Sequence, residues 1–162
     1  MMGKVILTCG KLGCGKTTYA KRLCRERGAV LLSADELMLT LFGGDAGEEH
    51  DELLEKVKIY LLNKSLELVS RGVDAVLDWG LWTRAERTAV RSFCEAHAVH
   101  CEIHCLEIGE EVRRQRIDAR NRAILEGRTK DYYVDEGLAA KLDKFFEPPE
   151  HGEADVWVIQ RE

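Results

Sequence analysis

The chain lacks any apolar run long enough to span a membrane, and its N-terminus carries no signal-peptide pattern. These absences set aside membrane-spanning and secreted classes and make the cytoplasm the expected location. Positive charge is not in excess either: 24 Lys and Arg stand against 29 Asp and Glu, a formal net charge of −5. Nucleic-acid binders usually carry a basic surface, so a polynucleotide is disfavoured as partner relative to a small molecule. None of the six cysteines forms a C-x-x-C pair. Buried reduced thiols account for Cys9, Cys14, Cys24, Cys94, Cys101 and Cys105 better than a disulfide framework does. His100, Cys101, His104 and Cys105 have metal-binding residue types. They fall in a predicted strand, where neighbours face opposite ways, so the four cannot converge. Internal repeats and low-complexity segments are missing. With 162 residues, 45% hydrophobic and 33% charged, the chain is expected to form a single domain over 1–162 with a real core.

What is present is concentrated near the N-terminus. Val5-Ile6-Leu7-Thr8-Cys9 is a short apolar β-run, Gly10 to Thr17 fit G-x-x-x-x-G-K-[ST], and a helical pattern runs from Thr18 to about Arg27. Strand, glycine-rich turn and helix in that order are the context a phosphate-binding loop requires. The glycines let the backbone turn so that N–H groups converge on phosphate oxygens, and the helix adds its positive end. The expected nucleotide contacts are Gly10, Gly13, Cys14, Gly15, Lys16, Thr17 and Thr18. Lys16 is predicted to reach the β- and γ-phosphates and Thr17 to ligate Mg²⁺. Cys14 is read as a small tolerated loop residue in preference to a thiolate activated by Lys16. Nucleoside triphosphate binding follows.

The remaining chain alternates strand and helix. Strands are predicted at Lys4–Cys9, Ala29–Ser33, Asp74–Asp78, Val99–Leu106 and Asp155–Gln160. Between them lie a helix closed by Gly28, one from Ser33-Ala34-Asp35 to about Phe42, and a long amphipathic one over Glu52–Arg71. Two more span Glu110 to about Glu126 and Val134–Phe146. A further helix is capped by Thr83, with Glu86 completing a capping box. Gly43–Asp51 is predicted to be a polar loop, and Pro148-Pro149 to stop helix formation. The alternation implies an α/β fold with a mainly parallel five-stranded sheet and helices on both faces.

Ligands of such sheets bind at the carboxyl ends of the strands, and the sequence puts three charged elements there. Asp35, just after the second strand, has two readings: a helix N-cap, or a general base beside the γ-phosphate. Asp78 ends the third strand and suits a Walker-B-type Mg²⁺ ligand. Trp79 and Trp82 follow it, one expected in the core and one in a substrate pocket. Arg113, Arg114, Arg116, Arg120 and Arg122 crowd one helix that has no lysine. Arg113, Arg116 and Arg120 share a face, and guanidinium forks suit phosphate. Arg84 and Arg87 are lesser candidates for phosphate contact, surface charge being the competing account.

Together, Gly10–Thr17, Ser33-Ala34-Asp35, the Leu77-Asp78-x-Gly80 turn with Trp82-Thr83-Arg84, and the arginine helix resemble the small P-loop kinases. That group includes predicted ATP-binding kinases, bacteriophage polynucleotide kinase, chloramphenicol phosphotransferase and the zeta toxins. Phe145-Phe146-Glu147-Pro148-Pro149 looks like the end of the predicted-kinase subgroup. The resemblance implies a three-layer P-loop NTPase fold with an arginine-rich lid at about 110–130. It also implies Mg²⁺-dependent transfer of the γ-phosphoryl group of ATP to a hydroxyl-bearing small molecule. By position, Asp35 looks like the catalytic base, and Arg116 and Arg120 like lid arginines, beside Lys16. The polynucleotide kinases carry an arginine shortly after that aspartate, whereas this chain has Glu36-Leu37-Met38-Leu39. Polynucleotide 5′-hydroxyl phosphorylation is therefore a weaker expectation. A nucleotide-dependent binding module or slow ATPase is the alternative from a different class.

Overall fold

In chain order the elements are β1 (Val5–Cys9), α1 (Lys16–Arg27), β2 (Val30–Ser33), α2 (Ala34–Phe42), α3 (His50–Ser70) and β3 (Ala75–Asp78). There follow α4 (Arg84–Ala96), β4 (Cys101–Ile108), α5 (Glu110–Leu125), α6 (Glu136–Phe145) and β5 (Val156–Gln160). They come from a computed structural model, which describes residues 1–43 and 46–160. The five strands form one sheet in the order β2-β3-β1-β4-β5. Every pairing among them is parallel. Among the described residues no helix is long and apolar enough to cross a membrane.

β1 is central, and all five of its residues are buried, which is why its sequence is a continuous apolar run. Val5, Leu7 and Cys9 pack on one face with Leu61 and Val69 of α3 and with Val90 and Cys94 of α4. Ile6 packs on the other with Tyr19, Ala20 and Leu23 of α1. The period-two alternation of one strand thus feeds two cores, and the molecule is a three-layer α/β fold.

The caps set the element boundaries. Gly28 closes α1 in the left-handed region at φ 63°. Thr83 Oγ1 accepts from the Glu86 amide and the Glu86 carboxylate accepts from the Thr83 amide, completing the predicted box. The expected loop 43–51 is shorter than predicted: Gly47–Glu49 form a 3₁₀ turn and α3 already begins at His50. Gly44 and Asp45, which belonged to that loop, lie outside the described residues. The last helix starts later than expected because Asp135 caps it, accepting from the Leu138 amide at 2.7 Å.

A buried polar chain pins α1 to the sheet. The Tyr19 hydroxyl shares a 2.7 Å hydrogen bond with His104 Nδ1, and His104 Nε2 pairs with Glu102 at 3.0 Å. Glu102 accepts from Lys4 Nζ at 2.6 Å. His100, just before β4, is exposed and also faces Glu102. Of the four His and Cys residues here, His104 joins the buried network, Cys101 and Cys105 pack with the apolar core, and His100 faces solvent. Burial opposes ionisation of Glu102, but hydrogen bonds from Lys4, His104 and His100 outweigh it, and its pKa falls to about 2. A carboxylate depressed on folding adds stability above its ordinary value of 4.5, and that stability is lost as the pH falls towards 2. Urea midpoints measured against pH should show the gap between wild type and Glu102→Gln at its widest above pH 4.5. The gap should close as the pH drops from there to 2.

Candidate functional site

The chain leaves β1 at its carboxyl end and reverses through Gly10–Gly15 before α1 begins at Lys16. Gly13 and Gly15 hold φ of 79° and 90°, the left-handed region where side chains are strained. Space is tight at Gly15 as well. A Cβ there would lie 3.1 Å from Arg116 Nη1 and 3.3 Å from Gln160 Nε2. At Gly13 it would lie 2.8 Å from Ile117 Cγ1. The turn is therefore closed from outside by α5 and the end of β5.

The loop floors a cleft of about 930 Å³, within the range of small-molecule sites. Gly13, Gly15, Lys16, Thr17 and Thr18 line it, with the two threonines exposed. Lys16 Nζ donates to the carbonyls of Gly10 and Lys11 at 2.8 Å each and stands 5.7 Å from the centre of the Trp82 ring. Gly10 and Cys14, expected among the nucleotide contacts, do not line the cleft. Cys14 is buried at 2% exposure, its amide donates to the Lys11 carbonyl, and its thiol faces a smaller cavity behind the loop.

Asp35 opens onto the same cleft. It is not the helix cap: Ser33 is, its hydroxyl accepting from the Glu36 amide at 3.2 Å. Asp35 keeps solvent access, yet the surrounding walls withdraw water from its carboxyl group. That burial, with the negative charges of Asp78 and Asp131, raises its pKa, and Lys16 and Lys58 offset this in part. Asp78, the last residue of β3, is 6% exposed and accepts from Thr8 Oγ1 at 3.4 Å.

Both tryptophans line the cleft: Trp79 is nearly buried and Trp82 half-buried. The turn presenting them carries Leu81 at φ 44°, an unfavourable conformation for a leucine, with its side chain fully buried. Arg87 supports this turn. It is 2% exposed, donates to the Leu81 carbonyl at 3.0 Å and pairs with Glu153. Arg84 pairs with Glu150 and Glu153 on the surface. Neither is among the cleft residues: Arg84 is surface charge, the competing account, and Arg87 is buried behind the turn.

The arginine helix divides in the same way. Arg113 is buried in ion pairs with Glu110 and Asp143 and donates to the Leu12 carbonyl at 3.0 Å. Arg114 lies exposed beside Glu110. Arg116 and Arg120 line the cleft. Arg116 donates to Gln160 Oε1 at 2.9 Å. Arg120 Nε stands 3.9 Å from the Asp131 carboxylate, and its Nε and Nη2 are buried without a hydrogen-bond partner.

These residues fit a magnesium–triphosphate complex. Buried guanidinium donors with no acceptor are costly unless an oxyanion meets them, and Arg120 supplies two at the cleft wall. The Thr17 hydroxyl and the Asp78 carboxylate are hard oxygen donors. Among the described residues no three His, Cys, Asp or Glu side chains group to hold a metal ion. A cation here would need phosphate oxygens and water as well, the usual coordination of Mg²⁺. Sequence reasoning missed Leu54, Lys58, Asp131 and Gln160, which also line the cleft. They lie outside any motif and reach it only through the fold.

Gly15→Ala is expected to weaken nucleotide binding at least tenfold. The added methyl group is strained at φ 90° and meets Arg116 and Gln160, at a cost of roughly 1–3 kcal/mol. Calorimetric titration with ATP checks this, and wild-type affinity would contradict it.

A sequence model of the AAA domain family matches residues 5–149. No curated protein is significantly similar in sequence. Among solved structures, the APS kinase CysC of Mycobacterium tuberculosis, in complex with AMPPNP and APS, superposes with a TM-score of 0.67 at 15% identity. That match covers 99% of this chain and 90% of the other. A gluconokinase from Sinorhizobium meliloti gives 0.64 at 14% identity, over 99% and 85% of the two chains. A chain of the Pnkp1/Rnl/Hen1 RNA repair complex gives 0.65 at 17% identity, over 89% of this chain but 44% of that one. Identities this low establish the fold, a P-loop NTPase-like architecture shared with small kinases. The family match runs from β1 to Pro149 and takes in the loop, Asp35, Asp78 and α5, so the chain belongs to the AAA domain family.

Proposed function

We propose that the protein transfers the γ-phosphoryl group of ATP to a hydroxyl of a small-molecule acceptor in a Mg²⁺-dependent reaction. The observation that carries this is Asp35. Its carboxyl group is released from capping by Ser33, has a raised pKa, and opens onto the cleft floored by Lys16 and its loop. Perturbed groups in such clefts are candidates for acid–base work. A binding module or simple ATPase has no need of such a base. ATP as the nucleotide rests on the resemblance to the P-loop kinases.

In this reading the loop amides and Lys16 hold the β- and γ-phosphates. Thr17 and Asp78 would hold Mg²⁺, which when bound screens phosphate charge. Asp35 takes the proton of the acceptor hydroxyl as its oxygen bonds to the γ-phosphorus. The bond from that phosphorus to the β–γ bridging oxygen breaks, and the electron pair leaves with ADP. Arg116 and Arg120 offset the charge that spreads over the transferring group. Strand order supports this division. Asp35 and Asp78 lie at the ends of β2 and β3, on one flank of the loop. Arg116, Arg120 and the end of β5 lie on the other. The acidic Glu36 after Asp35 and the net charge of −5 favour a small acceptor over a polynucleotide end.

Lys16→Ala should abolish ATP turnover, and Asp35→Asn should reduce transfer on the order of a hundredfold or more while ATP still binds. A general base acts deprotonated, so the rate should rise with pH through a limb above the ordinary carboxyl value of 3.8. Asp35→Asn should flatten that limb. Wild-type turnover in the Asp35 variant would contradict the base assignment.

A further inference from the structure

Gln160, at the carboxyl end of β5, belongs to no motif and touches both halves of the phosphate site. Its Oε1 accepts from Arg116 Nη1 at 2.9 Å, and its Nε2 donates to the Cys14 carbonyl at 3.1 Å. The same side chain lies against Gly15, where a Cβ would come within 3.3 Å of Nε2. We propose that Gln160 is a positioning residue of the phosphate site, fixing Arg116 against the loop so that triphosphate affinity depends on the end of β5. The proposal rests on reading the Gly10–Thr17 loop as the triphosphate site.

Three features carry the assignment. First, the task needs a group that accepts from a guanidinium on one side and donates to a carbonyl on the other. A primary amide does both while staying neutral. A carboxylate would keep the first contact, lose the second, and place negative charge beside the phosphates. Second, a loop whose amides converge inward must turn carbonyls outward, and those need donors. Arg113 of α5 donates to the Leu12 carbonyl at 3.0 Å and Gln160, bonded to Arg116 of α5, donates to that of Cys14, so both ties lead to α5. Third, Arg116 has a long flexible side chain, and holding it in place lowers the entropy lost when it meets an anion. Gln160 thus acts through Arg116 and the loop backbone, not on the reacting atoms.

The test is calorimetric titration of ATP and AMP, with Mg²⁺, into the wild-type protein and the Gln160→Leu and Gln160→Glu variants, with thermal unfolding alongside. Gln160→Leu should weaken ATP about tenfold, the weight of one hydrogen bond to a charged group. AMP should change little, because Arg116 serves the outer phosphates. Gln160→Glu, close to isosteric, should weaken ATP at least as much without lowering the melting temperature, and carries the test if the leucine variant does not fold. In an Arg116→Ala background, Gln160→Leu should cost clearly less than it does in the wild type, since only the tie to the Cys14 carbonyl is left to lose. Wild-type ATP affinity in both variants, an equal loss of ATP and AMP, or additive losses with Arg116→Ala would overturn the proposal. A wild-type protein that binds neither nucleotide would instead overturn the phosphate-site reading beneath it.

Discussion

The cleft depends on one reversal of the backbone, between Cys9 and Lys16. β1 delivers the chain to that point as a rigid strand, because all its residues are buried between two helical layers. Left-handed glycines then turn it within a few residues, and α1 starts at Lys16 with its dipole directed back at the turn. Arg116 and Gln160 approach so closely that a Cβ at Gly15 would push both side-chain ends aside. Backbone conformation calls for the glycine, and the close contacts add to the cost of replacing it. Pinning α1 through Tyr19, His104 and Glu102 keeps this geometry from drifting.

Around that turn the sheet order sorts charge. Strands β2 and β3 bring carboxylates to one flank, while β4 leads into the arginine helix on the other. Several charged residues that look available in sequence are used to build the walls. Arg87 holds the strained Leu81 turn that presents Trp79 and Trp82, and Arg113 ties α5 to the loop and to α6. Each is nearly buried and held by carboxylates and carbonyls, although Nη2 of Arg87 is left without a hydrogen bond. Arg120 lines the cleft, and its Nε and Nη2 are buried without a hydrogen-bond partner. Lining the cleft, and not burial, is what sets Arg116 and Arg120 apart from Arg87 and Arg113.

The layered fold was legible because alternating apolar strands and capped helices leave few arrangements open. The loop was legible because glycine, lysine and threonine occur there at fixed spacing after a strand. Asp35 was only half legible. Both Ser33 and Asp35 are good capping residues, and only the Ser33–Glu36 hydrogen bond decides between them. Arg84 and Arg87 stayed ambiguous in sequence because their acidic partners, Glu150 and Glu153, lie more than sixty residues away. Lys58, Asp131 and Gln160 carried no local signal. Their place at the cleft follows from how α3, the segment before α6, and β5 pack around the loop, which spacing along one element cannot reveal.

The measurement that tests the account most directly is mass spectrometry of a panel of hydroxyl-bearing small molecules incubated with the protein, Mg²⁺ and ATP labelled with ¹⁸O in its γ-phosphate. The panel should span nucleosides, sugars, aminoglycoside- and phenicol-type compounds, and oligonucleotides with free 5′-hydroxyls. A labelled phosphate ester on a small acceptor, absent with Asp35→Asn, is the predicted result. Labelled inorganic phosphate alone, with every acceptor unchanged while ATP binds, would contradict phosphoryl transfer and leave a nucleotide-dependent binding module or slow ATPase in its place.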